Sequence, residues 1–163
     1  MKEILQQYAA YNLWANQTLI EQILRLPQEQ QTAAVPSSFN SLQKTIVHVW
    51  NAEAVWWQRI KLVEKVIAPQ EAFTGDCKTA ASALFEQDRK WLEWVQANQE
   101  RMFQHEFIYQ NSKRETFKQP VFQVLMHVFN HSTYHRGQLV NMLRQLGIKN
   151  IPTTDFSAWS RRK

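Results

Sequence analysis

His127-Val128-Phe129-Asn130-His131-Ser132-Thr133-Tyr134-His135-Arg136-Gly137-Gln138 holds three of the chain's five histidines, each four residues after the last. On a helix, four residues advance the side chain by about 400°, so each step drifts only about 40° around the axis. Two histidines at i and i+4 then point the same way, one turn apart, and can bind one metal ion together. Imidazole is the commonest protein ligand for zinc and for other late first-row metals.

The flanking residues extend this stretch into a long amphipathic helix. Val121, Val124, Leu125, Val128, Ser132, Leu139, Met142, Leu143 and Leu146 fall on one side at helical spacing. Pro120 suits the first helical position, and Gly147 suits the C′ position just past the end. His135 lies within the stripe, about 30–40° from its centre, with His131 nearer the edge and His127 about 40° further out. The pair that looks into a bundle is therefore His131 with His135. His127 is an outer-shell or cavity residue, or is exposed.

Three further helices are predicted upstream. The first spans 3–26, with Leu5, Tyr8, Asn12, Leu19, Ile23 and Leu26 on one side and Asn16 close by. Asn12 and Asn16 need hydrogen-bond partners if buried. Residues 28–39 are polar and irregular. The second helix starts at Asn40 or Ser41, either able to cap it, and runs to about Val66. Leu42, Ile46, Val49, Trp56, Ile60 and Val63 form its stripe, His48 stands at the margin, and Glu53 falls inside. A carboxylate there is costly unless paired or hydrogen-bonded. The third helix spans 77–99, with Cys77, Ala81, Leu84, Trp91, Leu92 and Val95 on one face, and reads as purely structural. Between it and the last helix, Phe103, Phe107, Ile108, Tyr109 and Phe117 surround the polar turn Gln110-Asn111-Ser112-Lys113-Arg114. That pattern suggests a short hairpin or an ordered loop.

The chain of 163 residues is long enough for one domain with a real core. Only 3 glycines and 5 prolines argue against a chain of many tight turns and for long helices. The fold expected is an all-α four-helix bundle. Net charge is +5, but no helix carries a basic stripe and no DNA-binding motif occurs, so nucleic acid is not expected as a partner. The basic run Arg161-Arg162-Lys163 reads as a frayed tail. Cys77 is the only cysteine, which rules out an intrachain disulfide and a cysteine-based zinc site. No long apolar run occurs, so no membrane span is expected, and a cytoplasmic protein is the default.

An open catalytic metal site usually has three protein ligands plus water. Asp155 can supply the third if the tail folds back, but His48 is better placed, because bundles build metal sites from facing helices. Arg136 is offset by about 100° from His135 and is expected to pair with Glu53 or another carboxylate, locking the second helix to the fourth.

Tyr11-Asn12-Leu13-Trp14-Ala15-Asn16 resembles the opening signature of the DinB-like (damage-inducible) superfamily. So does Ser41-Leu42-Gln43-Lys44-Thr45-Ile46-Val47-His48-Val49, followed by Glu53 and Trp57. The strongest match is His127, His131, His135-Arg136-Gly137-Gln138-Leu139, followed by Leu143, Gly147, Pro152 and Asp155. The resemblance covers essentially residues 1–163 as one domain. It implies a four-helix bundle with an up-down-down-up path, often a homodimer, and metal ligands at His48, His131 and His135. It also implies one divalent ion, zinc or nickel, and relatives that include transferases and isomerases using low-molecular-weight thiols. The activity expected is transfer of such a thiol to small electrophiles. The alternatives are a metal-dependent hydrolase and a non-catalytic metal-binding or stress-response protein. Asn12, Glu53, His127 and Gln138 are the residues expected to support the ligands or touch substrate.

Overall fold

The computed structural model describes residues 1–111 and 113–162. Ser112 of the polar turn and Lys163 of the basic tail lie outside the described residues. Four long helices dominate: α1 (Lys2–Leu24), α3 (Leu42–Ile60), α4 (Cys77–Ala97) and α6 (Val121–Gln145). Three single-turn helices accompany them: α2 (Gln28–Thr32), α5 (Glu100–Gln104) and α7 (Phe156–Ser160). A 3-10 turn covers Pro69–Ala72.

Two apolar clusters fix the path of the chain. At one end Leu5 and Ala9 of α1 pack with Trp57 of α3, Trp91 and Val95 of α4, and Val124, Val128 and Phe129 of α6. At the other end Leu19 and Ile23 pack with Leu42 and Ile46, Ala81 and Leu84, and Leu139 and Met142. The early residues of α1 and α6 thus share an end with the late residues of α3 and α4. The bundle runs up-down-down-up, an all-α four-helix bundle. α1 and α3 each pack against both α4 and α6. Two parallel pairs, α3 with α4 and α1 with α6, follow from these directions.

The parallel pair explains the long crossover between α3 and α4. The sequence predicts that the second helix continues to about Val66, but α3 stops at Ile60. Leu62 takes a φ of 53°, which breaks the helical ladder. The Gln58 amide then ties the chain back, donating to Ile67 O at 2.8 Å and accepting from Ile67 N at 2.9 Å. Val63, predicted to face the core, is exposed as a result. Ser41 is the residue that caps α3, its Oγ accepting from Lys44 N at 3.1 Å.

The segment before α6 is a hairpin, β1 (Glu106–Gln110) paired antiparallel with β2 (Thr116–Pro120). The irregular stretch after α1 contains the short α2, which leaves Val35 buried beyond it. Pro120 precedes α6 as its N-cap. At the far end Gly147 has φ 81°, with Gly147 N bonded to Arg144 O and Ile148 N to Leu143 O. This is the left-handed terminus that glycine permits without a Cβ clash.

Candidate metal centre

Between the two apolar clusters the bundle has a polar waist. Asn12, Asn16, Glu53, Asp88, Ser132 and Arg136 are all buried there, contributed by α1, α3, α4 and α6. Asn12 Nδ2 donates to Glu53 Oε1 at 3.0 Å and to Asp88 Oδ1 at 2.8 Å. Asn16 Nδ2 donates to Asp88 Oδ2 at 3.0 Å. Ser132 Oγ donates to Glu53 Oε1 at 2.6 Å. Arg136 Nη1 donates to Asn12 Oδ1 at 2.9 Å and to Asn16 Oδ1 at 2.8 Å, and its Nη2 donates to Thr133 Oγ1 at 2.6 Å. Each of these six side chains has at least one hydrogen-bond partner, as a water-poor interior demands.

Two of these bonds correct the reading from sequence. Arg136 does not bond Glu53; it binds α6 to α1 through the two asparagine carbonyl oxygens. Moreover, α4 is more than a structural helix, because Asp88 is a hub of the network. Asp88 lies in line with Leu84 and Trp91 on the buried face, the same signal that drew attention to Glu53. Burial, and for Asp88 the neighbouring Glu53 charge, pushes both carboxyls upward from their ordinary pKa. Glu53 Oε2 has no partner among the described residues.

The three histidines sit beside this waist. His48 projects from α3, and His131 and His135 project from α6. The Nε2 atoms of His48 and His131 are 3.2 Å apart, and those of His131 and His135 are 3.0 Å apart. One ligand atom from each lies within 4.8 Å of the other two. Ligands about 2.0–2.1 Å from a common centre stand roughly 3 Å from one another, so the spacing fits one shared ion. Burial and mutual repulsion hold the His48 and His131 pKa values down at about 4, and burial lowers that of His135. At neutral pH the rings are therefore uncharged, the form that ligates metal.

Supporting contacts set the rings. Gln138 Oε1 lies 2.8 Å from His135 Nδ1 and fixes that nitrogen as the donor, which leaves the Nε2 lone pair facing the other two rings. Gln138 Nε2 in turn donates to Ser38 Oγ at 3.0 Å. Phe39 stacks on His48 with ring centroids 3.9 Å apart. Neither Ser38 nor Phe39 is identifiable from sequence, because they belong to an irregular loop without periodicity. Among the described residues, Asn12 and Glu53 form no hydrogen bond to the three imidazoles; Glu53 reaches α6 through Ser132. His127 is exposed, its ring edge against Trp56 at 5.3 Å and 6.0 Å from the His131 ring. Asp155 is also exposed and accepts from Thr153 Oγ1. Thus His48, not Asp155, completes the histidine group.

The DinB family model matches residues 1–162. This chain belongs to the DinB family. It is 29% identical to Protein DinB of Bacillus subtilis over 161 residues, covering 88% of this chain and 86% of that protein. Its fold is similar to a DinB-like protein from Bacillus cereus, with TM-score 0.71, 19% identity and coverage of 93% and 95% of the two chains. It is also similar to YfiT from Bacillus subtilis, with TM-score 0.66, 14% identity and 91% of each chain covered. YfiT is described as a probable metal-dependent hydrolase with an unusual four-helix bundle topology. For this DinB-family chain, the likeness to the two solved structures establishes the bundle alone.

Proposed function

We propose that this DinB-family protein is a divalent-metal-dependent enzyme, with one zinc or nickel ion held by His48, His131 and His135, and that it transfers a low-molecular-weight thiol to a small electrophile. The observation that carries the proposal is the convergence of three uncharged imidazole nitrogens from two helices, with separations of 3.0 and 3.2 Å. When bound there, a divalent ion supplies Lewis acidity that lowers the pKa of a thiol or water set against it.

The chain's own residues have defined tasks in this scheme. Three neutral ligands add no negative charge, so they leave the site's attraction for an anion undiminished. Gln138 keeps the His135 lone pair directed inward. Phe39 covers one face of the His48 ring and keeps water from it.

The same neighbourhood favours thiol transfer over hydrolysis. No carboxylate among the described residues bonds to any of the three imidazoles, and Glu53 is engaged by Asn12 and Ser132. Once deprotonated, water or a thiol can each attack, but a hydroxide still carries a proton that a nearby base would relay to the leaving group, whereas a thiolate carries none. A second reading, metal-dependent hydrolysis, draws its support from the likeness to YfiT.

The test is product analysis with metal-loaded protein, an activated aryl chloride or epoxide, and a panel of cellular thiols. The thioether product, with catalysis abolished in His131→Ala, is the expected result. Hydrolysis of esters or amides without any thioether formation would replace the first reading by the second.

A further inference from the structure

A groove of about 1020 Å³ is not lined by any of the three histidines. It runs between the end of α3, the 62–71 crossover and the hairpin. Its apolar walls include Val55, Val66, Ile67 and Ile108, and Ile108 is 62% exposed. Its volume is that of a pocket for a small organic molecule.

Arg59 lines this groove in an unusual state. Its guanidinium lies 4.6 Å from the Trp56 ring centroid and 5.5 Å from that of Tyr109, between α3 and the hairpin. Stacking accounts for the position of the side chain but leaves its donors unused. The Arg59 Nε is shut off from solvent with no hydrogen-bond partner among the described residues. No carboxylate among them forms an ion pair with it either. Burial lowers its pKa, as befits a cation without a counter-charge. The acidic residues of the lining, Glu64 and Glu71, are fully on the exposed side, whereas Arg59 is half-buried.

A buried donor with no acceptor needs an explanation. The guanidinium lies over the Trp56 ring with Tyr109 to one side, and its two terminal nitrogens, unlike Nε, are not shut off from solvent, so they are left for a planar oxyanion, which they can bind with two parallel hydrogen bonds. The groove that Arg59 lines combines aliphatic Val55, Val66, Ile67 and Ile108 with polar groups such as Lys65 and Gln70. The geometry points to a binding site for a small amphiphilic carboxylate, its head on Arg59 and its apolar body along Val66, Ile67 and Ile108. Arg59 is eleven residues beyond His48 on the same helical stripe, about 16 Å along the axis. The site is therefore separate from the histidine centre and stands without the functional reading above.

The probe is dansylglycine, an arylsulfonamide of glycine with a free carboxylate, whose fluorescence rises on apolar binding, with dansylamide as its uncharged counterpart. The protein is used as purified. Dansylglycine is expected to bind at least tenfold more tightly than dansylamide. Arg59→Gln should weaken dansylglycine by about tenfold, the worth of one charged hydrogen-bonding group, and leave dansylamide unchanged. Ile108→Glu, a change at an exposed hairpin position, should weaken dansylglycine as well. His48→Ala should leave it bound, since the probe is not held at the histidines. No dansylglycine binding at millimolar concentration, equal binding of the two probes, or an Arg59→Gln protein that binds as the parent does would each overturn the proposal. Loss of binding in His48→Ala with retention in Arg59→Gln would move the probe to the histidine centre and overturn it too.

Discussion

Ser132 Oγ donates to Glu53 Oε1 across 2.6 Å, and both side chains are wholly buried. Ser132 directly follows His131, and Glu53 lies one and a half turns beyond His48. This single bond therefore sets the axial register between α6 and α3 on which the convergence of the histidines depends. Ser132→Ala removes it and leaves Glu53 Oε1 with Asn12 alone. A loss of about 1–3 kcal/mol is expected, read as a lower urea midpoint with an unchanged slope. A midpoint equal to that of the parent would show that packing alone holds the register.

The histidines should differ in what their removal does to bound metal. Protein made without a histidine tag should hold close to one divalent ion per chain. His48→Ala, His131→Ala and His135→Ala should each lose it, whereas His127→Ala should keep it, because that ring packs on Trp56. Elemental analysis distinguishes these outcomes. Full metal content in any of the first three variants would remove that residue from the ligand set.

Gln138 should influence affinity without being a ligand. Its Oε1 orients the His135 ring, and loss of such a contact typically costs about 10–100-fold in metal affinity. Gln138→Leu is expected to fall in that range in a chelator competition, with its thermal melt little changed in the metal-free state. An affinity equal to that of the parent would mean that the ring is held by packing.

Among the described residues, Arg136 is the only buried cation of the waist, facing two buried carboxyls and bonded to Asn12, Asn16 and Thr133. Arg136→Met leaves both asparagine oxygens and the carboxyl pair uncompensated. A loss of about 3–5 kcal/mol is expected, visible as a large drop in Tm. Arg136→Lys should recover only part of it, since an ammonium cannot reproduce the planar fork. Near-parental stability of Arg136→Met would show that the carboxyls are neutral in the fold.

The His48 pKa predicts a pH dependence of stability in metal-free protein. The folded value is about 4 against an ordinary 6.5. Between these values the unfolded chain binds a proton that the folded chain refuses, so the contribution is present above pH 6.5 and is lost as pH falls toward 4. The buried carboxyls titrate in the opposite sense, so the histidine is isolated by comparison with His48→Gln. The stability of the parent relative to that variant should fall as pH is lowered through this window in the presence of chelator. A difference independent of pH would mean that His48 titrates normally.

Much of the bundle was legible in the residues themselves. Four apolar stripes at helical spacing, a cap at Asn40 or Ser41 and Gly147 as a terminator are local signals, and apart from Val63 at the end of the second stripe they match the structure, because local sterics and one-sided burial decide them. The same spacing ranked His131 and His135 above His127. The sequence also exposed Glu53 and Asn12 as polar groups in apolar stripes, but it could not say what they bond.

Tertiary structure decided the rest. That α3 stops at Ile60 follows from the Gln58–Ile67 clasp, a contact between a helix and the loop beyond it. Arg136 bonds Asn12 and Asn16 instead of Glu53 because α6 runs parallel beside α1, a neighbour relation invisible in the spacing of one helix. Asp88 gained its role when α4 turned it toward the same waist. Ser38 and Phe39 reach the histidines only because a loop without periodicity folds over them. Residue spacing thus determines the elements and the faces they bury. Which polar groups meet is set by how the helices pack, since a hydrogen bond needs its partners within about 3 Å and that distance exists only once the helices are in place.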